Sequence, residues 1–312
     1  MKLALVFPGQ GSQSVGMLQS FADNKSVRDT FAEAADVLQQ DLWKLAADGP
    51  AEDINSTVNT QPLMLTAGYA IYRAWRDAGG DQPAVVAGHS LGEYTALVVA
   101  GVISLRDALP LVRFRAQAMQ DAVPLGTGAM AAILGLDDEA VRAACAEAAQ
   151  GEVVESVNFN APSQVVIAGH KAAVERAAAL AKTKGAKRAV MLPVSAPFHA
   201  SLLKPAAERL ERYLVKVAFN APQIPVVNNV DVAVVSDPLQ IKNALARQAC
   251  NPVRWVEVIQ HMARSGVTHV GECGPGKVLA GMTRRIDGAL QGFALADAAS
   301  LAQAVQSFRQ AA

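Results

Sequence analysis

The chain has 312 residues, of which 51% are hydrophobic and 18% charged, a balance that suits a compact globular protein and excludes an intrinsically disordered one. Lysine plus arginine equals aspartate plus glutamate at 28 each, so no global field draws the chain to nucleic acid or to an anionic membrane. Three cysteines, Cys145, Cys250 and Cys273, stand far apart without CxxC spacing, which argues against a disulfide framework and a zinc site, and no metal is expected.

The opening MKLALVFPGQGSQ lacks the long apolar region and the cleavage site of a signal peptide, and the most apolar later run, Ala96 to Leu105, is too short to span a bilayer. A cytoplasmic location without membrane contact is the expectation. Leu3 to Phe7 reads as a short strand running into the loop PGQGSQ. Helical patterns follow over Ser26 to Gln40 and Gln61 to Ala78, then a four-residue apolar strand, Ala84 to Ala87. This alternation of buried strands and helices predicts a parallel sheet covered on both faces.

After Gly126 the rhythm changes. Ala129 to Leu134 reads as a strand and Asp137 to Gln150 as an alanine-rich helix with Asp137 as its cap. Val153 to Phe159 and Gln164 to Ala168 read as strands joined by a turn at Asn160-Ala161-Pro162. Lys171 to Lys184 is a second helix closed by Gly185, and Arg188 to Leu192 a final strand. The order β-α-β-β-α-β is that of a ferredoxin-like unit. The expected organisation is therefore a large α/β domain of residues 1–125 and 195–312 with a small inserted domain of residues 126–194. The chain returns to the first pattern with Ile224 to Asn228, a helix on either side of Asn251-Pro252, the strand Val267 to Gly271 and a helix from Gly276.

Between the strand Ala84 to Ala87 and a helix-forming stretch lies GHSLGE, residues 88 to 93, which contains Gly-x-Ser-x-Gly. A serine at a sharp strand-to-helix turn is held with its oxygen exposed, and the flanking glycines let the backbone turn without Cβ clashes. The helix N-terminus that follows offers free N–H groups to an oxyanion. The plainer reading of the motif is a tight β-α turn. A nucleophilic Ser90 requires a base. Among five histidines, His89 adjoins the serine and points away from it, His170 falls at a strand-to-helix turn, His261 lies in a helix and His269 in a strand. His199, in PVSAPFHASL at a domain junction, is the candidate. No carboxylate is marked as the orienter of its ring: Asp137 and Glu155 fall in the inserted unit, and a backbone carbonyl is an alternative. PGQGSQ is placed to present a backbone N–H as a second oxyanion donor. Arg113 and Arg115 point to different faces of one helix, so at most one reaches a buried site, where it would select an acid-bearing substrate. GPGKVL lacks the spacing and the Ser/Thr of a phosphate loop and reads as a structural turn.

The combination VFPGQGSQ, GHSLGE, RAQAMQ, VNFNAPSQVVIAG, PFH, QACNPVRW and GPGKVL, in this order over nearly the whole chain, resembles the malonyl-CoA:acyl-carrier-protein transacylases of fatty-acid synthesis. The resemblance implies a hydrolase-like large domain with a ferredoxin-like insert. It implies Ser90 as the acylated nucleophile, His199 as general base and acid, and Arg115, not Arg113, as the holder of the malonyl carboxylate. It further implies the Gln10 and Leu91 N–H groups as the oxyanion hole, and the Gln248 carbonyl as the orienter of His199. Asn158, Ser195 and Phe198 are implied to line the substrate site. The implied partners are coenzyme A thioesters and an acidic carrier protein bearing phosphopantetheine, met by a basic patch drawn from Lys187, Arg188, Lys204, Lys277, Arg284 and Arg285; no cofactor is expected. A serine esterase or thioesterase, or a malonyltransferase of a polyketide or malonate decarboxylase system, is the alternative.

Overall fold

The structure is a computed structural model and describes residues 1–310. Among the described residues nine strands form two sheets: β1 (Leu3–Phe7), β2 (Val85–Gly88), β7 (Val226–Val227), β8 (His269–Glu272) and β9 (Gln291–Ala294) in one, and β3 (Gly128–Leu134), β4 (Val154–Ala161), β5 (Gln164–His170) and β6 (Arg188–Met191) in the other. The first sheet has the order β7-β2-β1-β8-β9 and is parallel throughout. Its strands β1 and β2 are buried along their whole length and carry no charged or strongly polar side chain, as suits strands covered by helices on both faces. Leu3, Leu5 and Phe7 of β1 join one core cluster while Ala4 and Val6 join another, the period of two that a strand between two layers requires.

The second sheet is antiparallel, with the order β4-β5-β3-β6 and helices Asp138–Ala149 and Lys171–Thr183 on one face. This is the ferredoxin-like arrangement read from the sequence. Ala129, Ala131 and Ile133 of β3 pack under those helices, whereas Met130 turns to the main core and to the cleft described below. In β4, Val154 and Phe159 both pack under the helices although an odd spacing separates them. A bulge between Ser156 and Asn158 resets the phase, and so puts Asn158 on the opposite face. The edge of β4 is stitched to the parallel-sheet part by backbone bonds from Phe159 N–H to the Val253 carbonyl (3.0 Å) and from Val253 N–H to the Val157 carbonyl (2.8 Å).

Boundaries moved where caps and packing outweigh periodicity. The first long helix is Lys25–Leu38, started by Asn24, whose side chain accepts from the Val27 N–H; the next begins at Thr57, ahead of the expected Gln61, and runs to Asp77. Ile224 to Asn228 supplies only a two-residue strand. The edge strand β9 carries little apolar periodicity because it is paired on one side only and half exposed.

The glycines around β2 bear on the site directly. A Cβ on Gly88 would lie 1.8 Å from the Gly92 carbonyl carbon, and one on Gly92 2.0 Å from the Phe7 oxygen. Backbone on both sides leaves nothing to give way. Gly281, in the helix Val278–Ile286, has open space around it and carries only the entropic cost of glycine in a helix. Urea unfolding should therefore show Gly88→Ala losing at least ~3 kcal/mol and Gly281→Ala gaining ~0.5–1 kcal/mol. Equal shifts in the two variants would contradict this packing.

Candidate active site

The turn from β2 into helix Gly92–Val99 places Ser90 at φ 51°, in the left-handed region that costs a residue with a Cβ roughly 1–2 kcal/mol. Asn229 holds that geometry from both sides. Its Oδ1 accepts from the Ser90 N–H (2.8 Å), its Nδ2 donates to the Gly88 carbonyl (2.7 Å), and its own N–H donates to Glu93 Oε2 (2.9 Å). Gly9 packs against the other side of the turn, where a Cβ would come within 2.5 Å of the His89 oxygen. The loop that carries Gln10 is thus pressed onto the elbow. Among the described residues neither the Gln10 nor the Leu91 backbone N–H has a protein acceptor, and both residues line the cleft beside Ser90.

His199 also sits at positive φ, 67°, and is buried. Its Nε2 lies 2.7 Å from Ser90 Oγ and its Nδ1 2.8 Å from the Gln248 carbonyl oxygen. A carbonyl can only accept, so Nδ1 carries the proton and the Nε2 lone pair faces the serine hydroxyl. Burial pushes the ring's pKa down to about 3, and the charge of Arg115 adds to the effect. The imidazole is therefore a neutral acceptor near neutral pH. Both acids weighed from the sequence are engaged elsewhere: Asp137 caps the Ala140 N–H, and Glu155 accepts from the Ser201 N–H and hydroxyl.

Arg115 is 2% exposed, on helix Leu105–Asp121. Its Nη1 donates to Gln61 Oε1 (2.7 Å), its Nη2 to Gln248 Oε1 (2.9 Å) and to Ser90 Oγ (3.2 Å), and the Tyr94 ring lies 5.3 Å from the guanidinium carbon. Among the described residues no carboxylate forms an ion pair with it. Arg113 faces away, donating to the Leu38 carbonyl and to Gln40. Gln248 occupies two roles at once. Its carbonyl orients His199, while its side-chain amide donates to the Ser90 carbonyl (3.0 Å) and to Glu93 Oε2 (2.9 Å). Burial pushes the Glu93 carboxyl up to about 7 against those donors and the Arg115 charge.

The cleft is small, about 110 Å³, against the ~300–1,000 Å³ of pockets for drug-sized ligands. Of the residues singled out in the sequence, Gln10, Ser90, Leu91, Arg115, Asn158, Phe198 and His199 line it. Gln248 lies directly behind. Ser195 does not line it: Leu192 and Val194 do, and Ser195 begins a bend in which its carbonyl lies 3.5 Å from Gln120 Nε2. His89 lines the cleft too, with Nε2 2.8 Å from Asn160 Oδ1 and its ring against Trp255. His170 accepts the Val153 N–H at Nδ1, and His269 packs on Phe308. GPGKVL backs the Gln10 loop, since a Cβ on Gly274 would meet Pro8 at 2.7 Å. Sequence reasoning missed Gln61, Glu93 and Asn229. Glu93 had a signal, an acid in the elbow helix's first turn, and Asn229 another, a place after a parallel strand's carboxyl end, where sites gather. Among the described residues no three His, Cys, Asp or Glu side chains cluster as a metal site would need, and no helix is long and apolar enough to cross a membrane.

Residues 4–285 match the family described as acyl transferase domain. The chain is 56% identical over 306 residues to the malonyl CoA-acyl carrier protein transacylase of Escherichia coli K12, covering 98% of this chain and 99% of that protein. The crystal structure of acyl-carrier-protein S-malonyltransferase from Burkholderia pseudomallei superposes with a TM-score of 0.97 at 69% identity, over 98% of this chain and 100% of the other. A malonyl-transacylase solved in complex with a type II polyketide acyl-carrier protein superposes equally well, TM-score 0.97, at 52% identity over 98% and 100% of the two chains.

The depressed basicity of His199 can be read directly. In an NMR titration its ring should remain neutral as the pH falls through the ordinary histidine value of 6.5. Removing the guanidinium in Arg115→Met takes away one of the causes of that depression and should move the titration upward. A ring that protonates near 6.5 in the unaltered protein would contradict the assignment.

Proposed function

The chain belongs to the acyl transferase family, and on that premise we propose that it moves a malonyl group from malonyl-CoA to the phosphopantetheine thiol of an acyl-carrier protein, supplying fatty-acid elongation. In this reading residues 1–125 and 195–312 form the catalytic domain, and 126–194 an insert roofing the cleft. The observation that carries the substrate choice is Arg115, a buried cation whose protein partners are all neutral oxygens. A buried charge without a counter-ion is costly, and an acyl group ending in a carboxylate supplies the missing charge in a geometry that a guanidinium matches.

His199 Nε2 takes the proton of Ser90 as Oγ attacks the thioester carbonyl. The carbonyl oxygen, now negative, is held by the Gln10 and Leu91 N–H groups. The carbon–sulfur bond breaks, coenzyme A leaves with the proton from His199, and malonyl remains as an ester on Ser90. The carrier thiol then enters the same cleft, gives its proton to His199 and attacks the ester, and Ser90 recovers its hydrogen. The charge of Arg115 that depresses His199 is cancelled when a carboxylate lies on it, so a malonyl donor also raises the basicity of the catalytic imidazole. A neutral acyl group brings no such gain. Phe198 lines the cleft, and among the described residues the buried Asn158 Oδ1 has no protein donor, so an N–H of the incoming arm would satisfy it. Lys187, Arg188, Lys204, Lys277, Arg284 and Arg285 are all exposed and available to an acidic carrier.

Intact mass after brief exposure to malonyl-CoA tests the two half-reactions. A malonyl adduct is expected in the unaltered protein, absent in Ser90→Ala, and discharged when carrier protein is added. An adduct lost to water at the same rate with or without carrier would identify a thioesterase instead.

A further inference from the structure

Thr57, the first residue of helix Thr57–Asp77, is 2% exposed, and its hydroxyl takes no part in capping that helix. It accepts from Gln61 Nε2 (3.3 Å), one turn along on the same helix face, and donates to Gln10 Oε1 (2.9 Å). Gln61 in turn accepts from Arg115 Nη1 (2.7 Å). The direction of this chain is fixed from its head. A guanidinium has only donors, so Gln61 must turn its oxygen to Arg115 and its amide nitrogen to Thr57. The Thr57 hydroxyl, accepting there, has one hydrogen left, and that hydrogen goes to Gln10. Hydrogen bonds aligned in one sense polarise one another, more so away from water, and a full positive charge stands at the start of this series.

We propose that Thr57 is a positioning residue that couples occupation of Arg115 by the acyl carboxylate to the placement of the Gln10 N–H at the developing oxyanion. The inference rests on the reading of Arg115 and Gln10 given above. Gln10 belongs to a loop with a second, exposed anchorage, in which the Gly11 N–H donates to Gln13 Oε1 (2.7 Å) and Gln13 Nε2 to Asn55 Oδ1 (2.8 Å). Loss of the Thr57 hydroxyl therefore leaves the loop in place and frees only the Gln10 side chain, which directs its backbone amide. A donor a fraction of an ångström off line serves the transition state worse and leaves ground-state binding as it was. The Arg115–Gln61–Thr57–Gln10 chain meets the site from one side, as Gln248 meets it from the other.

Single-turnover acylation of Ser90 by malonyl-CoA tests the coupling. Thr57→Val keeps the shape and removes the hydroxyl; it should lower the saturating rate about 10-fold while the half-saturating concentration changes less than about twofold. Thr57→Ser should restore the rate. In an Arg115→Met background, where the chain has lost its head, the same Thr57→Val change should cost less than about twofold. Thr57→Ala must give the same pattern, and it decides the matter if urea unfolding shows Thr57→Val to be poorly folded. Equal losses in the two backgrounds, or failure of Thr57→Ser to restore the rate, would overturn the coupling. A normal rate in Thr57→Val would do so as well, leaving the transacylase reading intact. Absence of a Ser90 adduct in the unaltered protein would remove both.

Discussion

The site is organised around one full positive charge placed in the interior without a carboxylate beside it. Arg115 cannot lose its proton, and burial in a medium of low polarity would be prohibitive without oxygen atoms to accept its hydrogens. The structure meets that demand with two glutamine side chains and the Ser90 hydroxyl oxygen. Neutral acceptors satisfy the hydrogen-bonding geometry and leave the charge uncancelled. A nearby carboxylate in ion-pair contact would have stabilised the free protein and removed the reason for an anionic acyl group to bind. Glu93 is kept one residue back, behind Gln248, where it steadies the amide.

Because an arginine only donates, its two glutamines have no freedom of orientation, and each carries that constraint onward to a different part of the cleft. Gln61 leads through Thr57 to Gln10; Gln248 leads to the Ser90 carbonyl and, through its own main chain, to His199. Ser90 and His199 both occupy left-handed backbone conformations, φ 51° and 67°, which neither would adopt in an unconstrained peptide. The glycines of the elbow remove the steric conflict, and Asn229 supplies hydrogen bonds that only this conformation can make. The strain that presents the serine oxygen to Nε2 is thus offset by bonds made elsewhere in the same network.

Much of this was legible in the sequence where the physics is local. The elbow announces itself because glycine at both flanks, a buried strand before and a helix after are consequences of one tight turn. The ferredoxin-like unit was legible from its element order, and the lack of any suitably placed acid left a backbone carbonyl as one alternative for orienting His199. What stayed hidden depends on the assembled fold. Periodicity could say that Arg113 and Arg115 diverge, but not which of them faces inward; the sheet and the helix Thr57–Asp77 decide that. The bulge in β4 that swings Asn158 into the cleft has no signature in residue type. Gln61 is a neutral amide in an unremarkable context, and its importance arises from what lies opposite it. Ser195 shows the converse: a position near the histidine in sequence that a bend in the backbone leaves outside the cleft.

The central claim is that the uncancelled charge of Arg115 selects the acyl group. It is tested most directly by the rates of Ser90 acylation with malonyl-CoA and with acetyl-CoA in the unaltered protein and in Arg115→Met. The account predicts that malonyl transfer falls by about 100-fold or more, the loss of a buried charge-assisted contact, while acetyl transfer rises because no unpaired cation remains in its path. A common fall in both rates, with their ratio preserved, would show that Arg115 holds the machinery together and does not choose the substrate.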